Sequence, residues 1–95
     1  MAFPPSFIDE LVARNPIEDV VGHYVSLKRS GGNLFGLCPF HGEKTASFSV
    51  NPDKGIYYCF GCHKGGGVIN FQMEIEGLSY PDAVRALAQR VGMQV

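Results

Sequence analysis

Three cysteines and a histidine near the middle of the chain carry its most legible chemistry. Cys38-Pro39-Phe40-His41 and Cys59-Phe60-Gly61-Cys62 each hold two metal-ligating side chains two residues apart, with seventeen residues between the pairs. A tight turn of that length aims both side chains at a point about 2 Å away, as tetrahedral zinc requires. Four good ligands leave no position for water, so the spacing predicts one closed, structural Zn2+ site rather than a catalytic one. His63, beside Cys62, is an alternative fourth ligand that spacing leaves open. His41, in the turn that mirrors Cys59–Cys62, is preferred. A disulfide framework would want an even cysteine number, and the chain has three. Cys59 and Cys62 alone suggest a redox dithiol, but Gly65-Gly66-Gly67 makes a poor first turn for the helix such a motif needs.

The elements that must position these turns are short. A chain of 95 residues with 12 glycines and 6 prolines buries too little surface for a comfortable core. Zinc contributes on the order of 10–16 kcal/mol in peptide systems, against roughly 5–15 kcal/mol for a whole domain. The metal is therefore expected to decide whether the middle of the chain folds. No apolar run approaches the ~20 residues of a membrane span, and Met1-Ala2-Phe3-Pro4-Pro5 lacks the features of a secretory signal. These features point to a cytoplasmic, reducing setting without membrane partners.

Around the metal turns the pattern reads α+β: a small antiparallel zinc ribbon flanked by N-terminal and C-terminal helices. Residues 1–23 form a helical segment, with a first helix over 6–13 started by Ser6 and Asp9 and striped by Phe7, Ile8, Leu11 and Val12. Asn15 then caps a second helix that opens on Pro16 and ends at Gly22. Residues 24–64 form the ribbon. Strands are predicted over 24–29, 34–37, 47–50 and 56–58, with turns at Ser30–Asn33 and Asn51–Gly55. Residues 65–95 return to helix. Over 68–76 the apolar residues alternate strictly, as in a strand. Val68, Phe71 and Ile75 also share a helical face, and helix is preferred. A final amphipathic helix, capped by Ser79, runs to Val91 before Gly92.

A net charge of −1 hides a segregation. Residues 1–27 carry net −3 and residues 65–95 net −1, whereas residues 28–64 carry net +3 from Lys28, Arg29, Lys44, Lys54 and Lys64 against Glu43 and Asp53. Zinc held by three thiolates lowers that by about one charge. Six of the eleven aromatics share this window: Phe35, Phe40, Phe48, Tyr57, Tyr58 and Phe60. Cations interleaved with aromatics on a small sheet suit single-stranded nucleic acid. Several of the rings must also fill the ribbon's core.

The combined text resembles a known family. Cys38-Pro39-Phe40-His41, Glu43-Lys44-Thr45, Ser47-Phe48 and Tyr58-Cys59-Phe60-Gly61-Cys62 are similar to the N-terminal zinc-binding domain of bacterial DnaG-type DNA primases. Ile17 to Val21, Leu34 to Leu37 and Gly67 to Phe71 fall where that family has similar text, so the resemblance covers nearly the whole chain. Ala46 stands where the family usually has proline, and Gly32 where it often has a basic residue. The resemblance implies Cys38, His41, Cys59 and Cys62 as zinc ligands, and Lys44 with the sheet face near Lys54 and Tyr57 as template contacts. Lys28, Arg29 and Lys64 join that contact set on charge. It also implies a module that makes no bonds itself but reads single-stranded DNA template where RNA primers start. A separate polymerase domain performs nucleotidyl transfer, and a further C-terminal domain docks on the replicative helicase. On that reading the chain is a fragment of a longer bacterial primase. The alternatives are a zinc ribbon that docks on the polymerase domain or helicase, and a dithiol oxidoreductase.

Overall fold

The computed structural model describes residues 3–40 and 46–95. The first helix, α1 (Pro5–Arg14), opens on an extended Pro4 with Pro5 in its first turn, where a missing N–H has no helical partner to lose. Ser6 therefore lies inside the helix, and no side chain caps it, contrary to the expected start. Asn15 also departs from its expected capping role. It is 1% exposed, and its amide donates to the Leu11 and Leu87 carbonyls at 2.9 and 3.2 Å, while the Arg90 guanidinium donates to its oxygen at 3.0 Å. A buried amide must find partners, and this one finds them by tying α1 to the C-terminal helix. Pro16 precedes the second helix instead, α2 (Ile17–Gly22), which buries Ile17, Val20 and Val21.

Five strands follow as an antiparallel meander in chain order: β1 (Lys28–Ser30), β2 (Asn33–Gly36), β3 (Phe48–Asn51), β4 (Ile56–Cys59) and β5 (Gly65–Gly66). The first is shorter than the alternation over 24–29 suggested. Tyr24 and Val25 still donate their N–H groups to the Val21 carbonyl, and Val25 and Ser26 then cross close over Gly36. A Cβ on Gly36 would meet the Ser26 carbonyl oxygen at 2.7 Å, so glycine is what lets this crossing form. The last strand is a two-residue addition that the Gly65-Gly66 text did not announce.

Register assigns the two faces. Leu34, Val50, Tyr57 and Gly66 align across β2 to β5 on one face, joined by Gly36, Phe48 and Cys59. Lys28, Phe35, Ser49, Tyr58 and Gly65 align on the other. The first face is covered by α2 and by α3 (Val68–Glu76), whose Phe71 packs into a ring cluster with Phe40, Phe48 and Tyr57 at centroid distances of 5.5–6.2 Å. The ambiguous segment 68–76 is thus helical, burying Val68, Ile69, Phe71 and Gln72 and ending at a left-handed Gly77. Ser79 accepts from the Asp82 N–H to start α4 (Tyr80–Arg90), which packs Ala83, Val84, Leu87 and Ala88 on the rest. The α+β architecture agrees with the sequence pattern.

Candidate metal centre

The ends of β2 and β4 bring the cysteines together. Cys38 follows β2 by two residues, Cys59 closes β4, and Cys62 ends the turn that follows it. Their Sγ atoms lie within 4.8 Å of one another, and Cys38 and Cys62 are 3.8 Å apart, far beyond a disulfide bond. Three sulfurs around zinc at about 2.3 Å sit about 3.8 Å from each other in a tetrahedron. The cluster fits the metal.

The turns also supply the donors that thiolates need. Phe40 donates its backbone N–H to Cys38 Sγ at 3.4 Å, and Ser47 Oγ lies 3.7 Å from Cys59 Sγ. Burial pushes the Cys38 thiol up to about 12, with the neighbouring cysteines adding to it and the Phe40 N–H opposing. Burial also acts to raise Cys59, but the backbone N–H groups of Cys62 and Gly61, with Ser47 and Cys38, bring it down to about 7. One sulfur is built to be ionised and a crowded neighbour resists it; a cation among them removes the conflict. The second turn is tied down by N–H bonds from Cys59 to the Lys64 carbonyl, from Phe60 to Ser47 and from His63 to Cys59, at 2.8–2.9 Å. It leads into β5 and not into a helix, which removes the dithiol-oxidoreductase geometry.

Comparison with known proteins agrees with this reading. The family model described as CHC2 zinc finger, the zinc ribbon of DnaG, matches residues 3–95. The chain belongs to the CHC2 zinc finger family. Its zinc is therefore structural. A DNA primase of Neisseria meningitidis serogroup A is 53% identical over 92 residues, covering 97% of this chain and 16% of that primase. One from Enterococcus faecalis is 54% identical over 85 residues, covering 90% and 14%. The crystal structure of the Aquifex aeolicus primase zinc binding and RNA polymerase domains is similar with a TM-score of 0.87 and 43% identity, over 94% of this chain and 22% of that one. The chain thus spans 14–16% of the length of these curated relatives.

Of the two candidate histidine ligands, only His63 falls among the described residues of this CHC2 domain. His41 lies outside the described residues, as does Lys44. His63 is described and is not part of the cysteine cluster. It is the one residue other than glycine, among the described residues, with positive φ, +63°. That conformation costs a residue with a Cβ about 1–2 kcal/mol. Its imidazole Nδ1 lies 2.8 Å from the Tyr58 hydroxyl, turned to the outer sheet face.

The expected nucleic-acid contacts scatter. Tyr57 requires correction: it is 2% exposed, inside the ring cluster, and offers no face to a base. Its cross-strand partner Val50 points inward, so Tyr57 must too. Lys28 sits on the outer face near the zinc end of the sheet, opposite Phe35. Arg29 shares the inner row but lies on the edge strand, exposed beyond the core. Lys54 is exposed in the β3–β4 turn, at the far end of the strands from the cysteines. Lys64 shares its charge with Glu74 at 3.2 Å. The aromatic side chains that do occupy the outer face are Phe35, Tyr58 and Phe60, the last two 36% and 63% exposed. They were visible in the sequence as aromatics, and the inward assignment of Val50 was the signal that could have found Tyr58.

Proposed function

We propose that this chain is the template-reading module of a DNA primase, with zinc held by Cys38, His41, Cys59 and Cys62 and single-stranded DNA bound on the outer sheet face. One observation carries the reading: Lys28, Phe35, Ser49 and Tyr58 form a single cross-strand row that no helix covers among the described residues, with Phe60 standing beside it. Unpaired bases need flat apolar partners and their phosphates need cations, and stacking on aromatic side chains is worth about 1–3 kcal/mol per base. Zinc, when bound, supplies rigidity to the two turns. The residues of the chain do the rest: Phe60 and Tyr58 offer ring surface, Ser49 a hydroxyl, and Lys28 a charge.

In this reading the chain makes no phosphodiester bond. It presents template, in the cytoplasm of a bacterium, to a primase RNA polymerase domain that joins nucleotides, while contact with the replicative helicase falls to another part of the same protein. Of the competing reading, a sheet face that docks on the polymerase domain, the placement of Lys28 in the aromatic row is the less natural product.

The test is fluorescence anisotropy of the zinc-loaded chain with a labelled single strand and its duplex, across a salt series. Binding is expected to favour the single strand. With Lys28, Arg29 and Lys54 exposed and Lys64 partly neutralised, the slope of log K against log salt is expected near −2, at about −0.7 per phosphate contact. Equal affinity for duplex, or no loss on Tyr58→Ala and Phe60→Ala together, would overturn it.

A further inference from the structure

His63 combines three features that zinc binding does not use. Its backbone takes the left-handed conformation that usually falls to glycine, its ring is not part of the cysteine cluster, and its Nδ1 meets the Tyr58 hydroxyl at 2.8 Å. Strain of this kind persists where the surroundings hold it in place, and it often marks a working site. The left-handed turn sends the chain back along β4, so that the imidazole lies beside Tyr58, ring centroids 6.2 Å apart.

Tyr58 is fixed from its other sides as well. A Cβ on Gly65, its partner on β5, would meet Tyr58 Cδ1 at 2.9 Å, so the ring lies down over a strand that has no side chain there. Phe60 stands against it, centroids 5.1 Å apart and ring planes at 73°. The Phe60 backbone is anchored by its N–H to the Ser47 carbonyl. Two rings near a right angle form a corner. A flat aromatic group that stacks on one wall meets the other edge-on, and both arrangements are favourable for π systems.

We propose that His63 is a positioning residue: by holding the Tyr58 hydroxyl it fixes the Tyr58–Phe60 corner as a seat for one unpaired nucleobase. The inference rests on the single-strand reading of the outer face and names the point on that face where a base is received. A base inside a duplex has both faces covered by its neighbours, so only an unstacked one enters such a corner. Holding the walls in place before binding removes an ordering cost that the complex would otherwise carry.

The experiment compares the zinc-loaded chain with His63→Gly, His63→Asn and Tyr58→Phe. The probes are a short oligothymidylate and an abasic strand of equal length and charge. Glycine and asparagine both accept the left-handed backbone, so these variants are expected to keep zinc and to melt at or above the wild-type temperature. NMR of the Tyr58 ring is expected to show rotamer averaging in both His63 variants. Affinity for oligothymidylate is expected to fall about 2- to 10-fold, the worth of one pre-ordered side chain. Tyr58→Phe is expected to lose a similar factor, and the abasic strand is expected to be indifferent to all three changes. An unchanged Tyr58 ring spectrum, or unchanged affinity in His63→Gly while Tyr58→Ala and Phe60→Ala still weaken binding, overturns the clamp and leaves the outer-face reading standing. Loss of zinc from His63→Gly overturns it too, by making His63 a ligand. If Tyr58→Ala and Phe60→Ala are themselves without effect, the outer-face reading falls and the seat falls with it.

Discussion

Adjacent residues on one strand, Tyr57 and Tyr58, belong to two different proteins as far as their surroundings are concerned. On the inner face Tyr57 stacks on Phe48 at 5.5 Å and meets Phe71 edge-on at 5.5 Å. On the outer face Tyr58, partly exposed, meets Phe60, His63, Ser49 and the bare Gly65 backbone among the described residues. A small sheet has helices for one face only, because its chain is too short to cover both. The covered face spends its aromatics on stability, and the open one leaves them free to bind. The same residue type therefore answers to different measurements depending on its parity along the strand.

The largest effect should erase the comparison altogether. Both faces hang on strand ends that meet at Cys38, Cys59 and Cys62, so removing zinc by a strong chelator, or replacing Cys59 with serine, is expected to melt the sheet. The metal's worth in peptide systems, about 10–16 kcal/mol, exceeds what a domain this small can hold in reserve. Near-UV circular dichroism and amide dispersion should collapse together, while α4 keeps part of its helicity. Acid should do the same as protons compete for the sulfurs. An apo form with intact sheet signals would mean that the ring cluster around Phe71, and not the metal, holds the ribbon.

Next comes the comparison itself. Tyr57→Ala opens a hole in the ring cluster and is expected to destabilise by about 3–5 kcal/mol, the usual range for deleting a buried aromatic. Tyr58→Ala is expected to leave the melting temperature nearly unmoved and to cost about 1–3 kcal/mol in single-strand binding. Thermal melts and anisotropy on both variants decide it. Equal stability losses would show that the outer face is structural after all.

This difference also marks the limit of what the residues alone disclose. The three cysteines were legible as one cluster because metal chemistry fixes both residue type and spacing. The fold class and α4 were legible because their periods are clean. Tyr57 and Tyr58 are chemically alike and adjacent, so composition cannot rank them. Only register with Val50 does, and register is a long-range fact. Asn15 misled in the same way. Next to Pro16 it has every local mark of a cap, yet Leu87 and Arg90, more than seventy residues on, claim its amide. Gly36 and the shortened β1 likewise depend on a crossing that no local pattern encodes.

A smaller effect sharpens the electrostatic side of the comparison. Lys28 stands in the outer row and Lys64 is paired with Glu74, so Lys28→Ala is expected to reduce the salt slope by about 0.7. Lys64→Ala is expected to reduce it by clearly less, because an ion pair already occupies the charge. Titrations at four or so salt concentrations separate the two. A larger change for Lys64 than for Lys28 would move the phosphate path off the outer face and toward α3.

The smallest effect lies away from the outer face and ought to leave binding alone. Tyr24, in the connection between α2 and β1, donates its hydroxyl to Glu76 Oε2 at 2.6 Å, joining that connection to the last residue of α3. The hydrogen bond to Glu76, then burial, then the Glu76 charge raise the Tyr24 phenol above its ordinary value, with Gln72 acting in the opposite sense. A raised pKa means the folded state prefers the neutral phenol. The contribution is therefore fully present below the ordinary tyrosine value of about 10 and is lost as pH rises through the raised folded value. Because the pair is partly exposed, solvent screens it, and Tyr24→Phe is expected to cost only about 0.5 kcal/mol. For a domain of this size that lowers the melting temperature by about 2–4 °C. The gap between wild type and Tyr24→Phe should be measurable near neutral pH and should close in strong alkali, with oligothymidylate affinity the same in both. A gap that persists in alkali would mean the ring's packing on Phe71, 5.8 Å away, had been disturbed instead of the hydrogen bond.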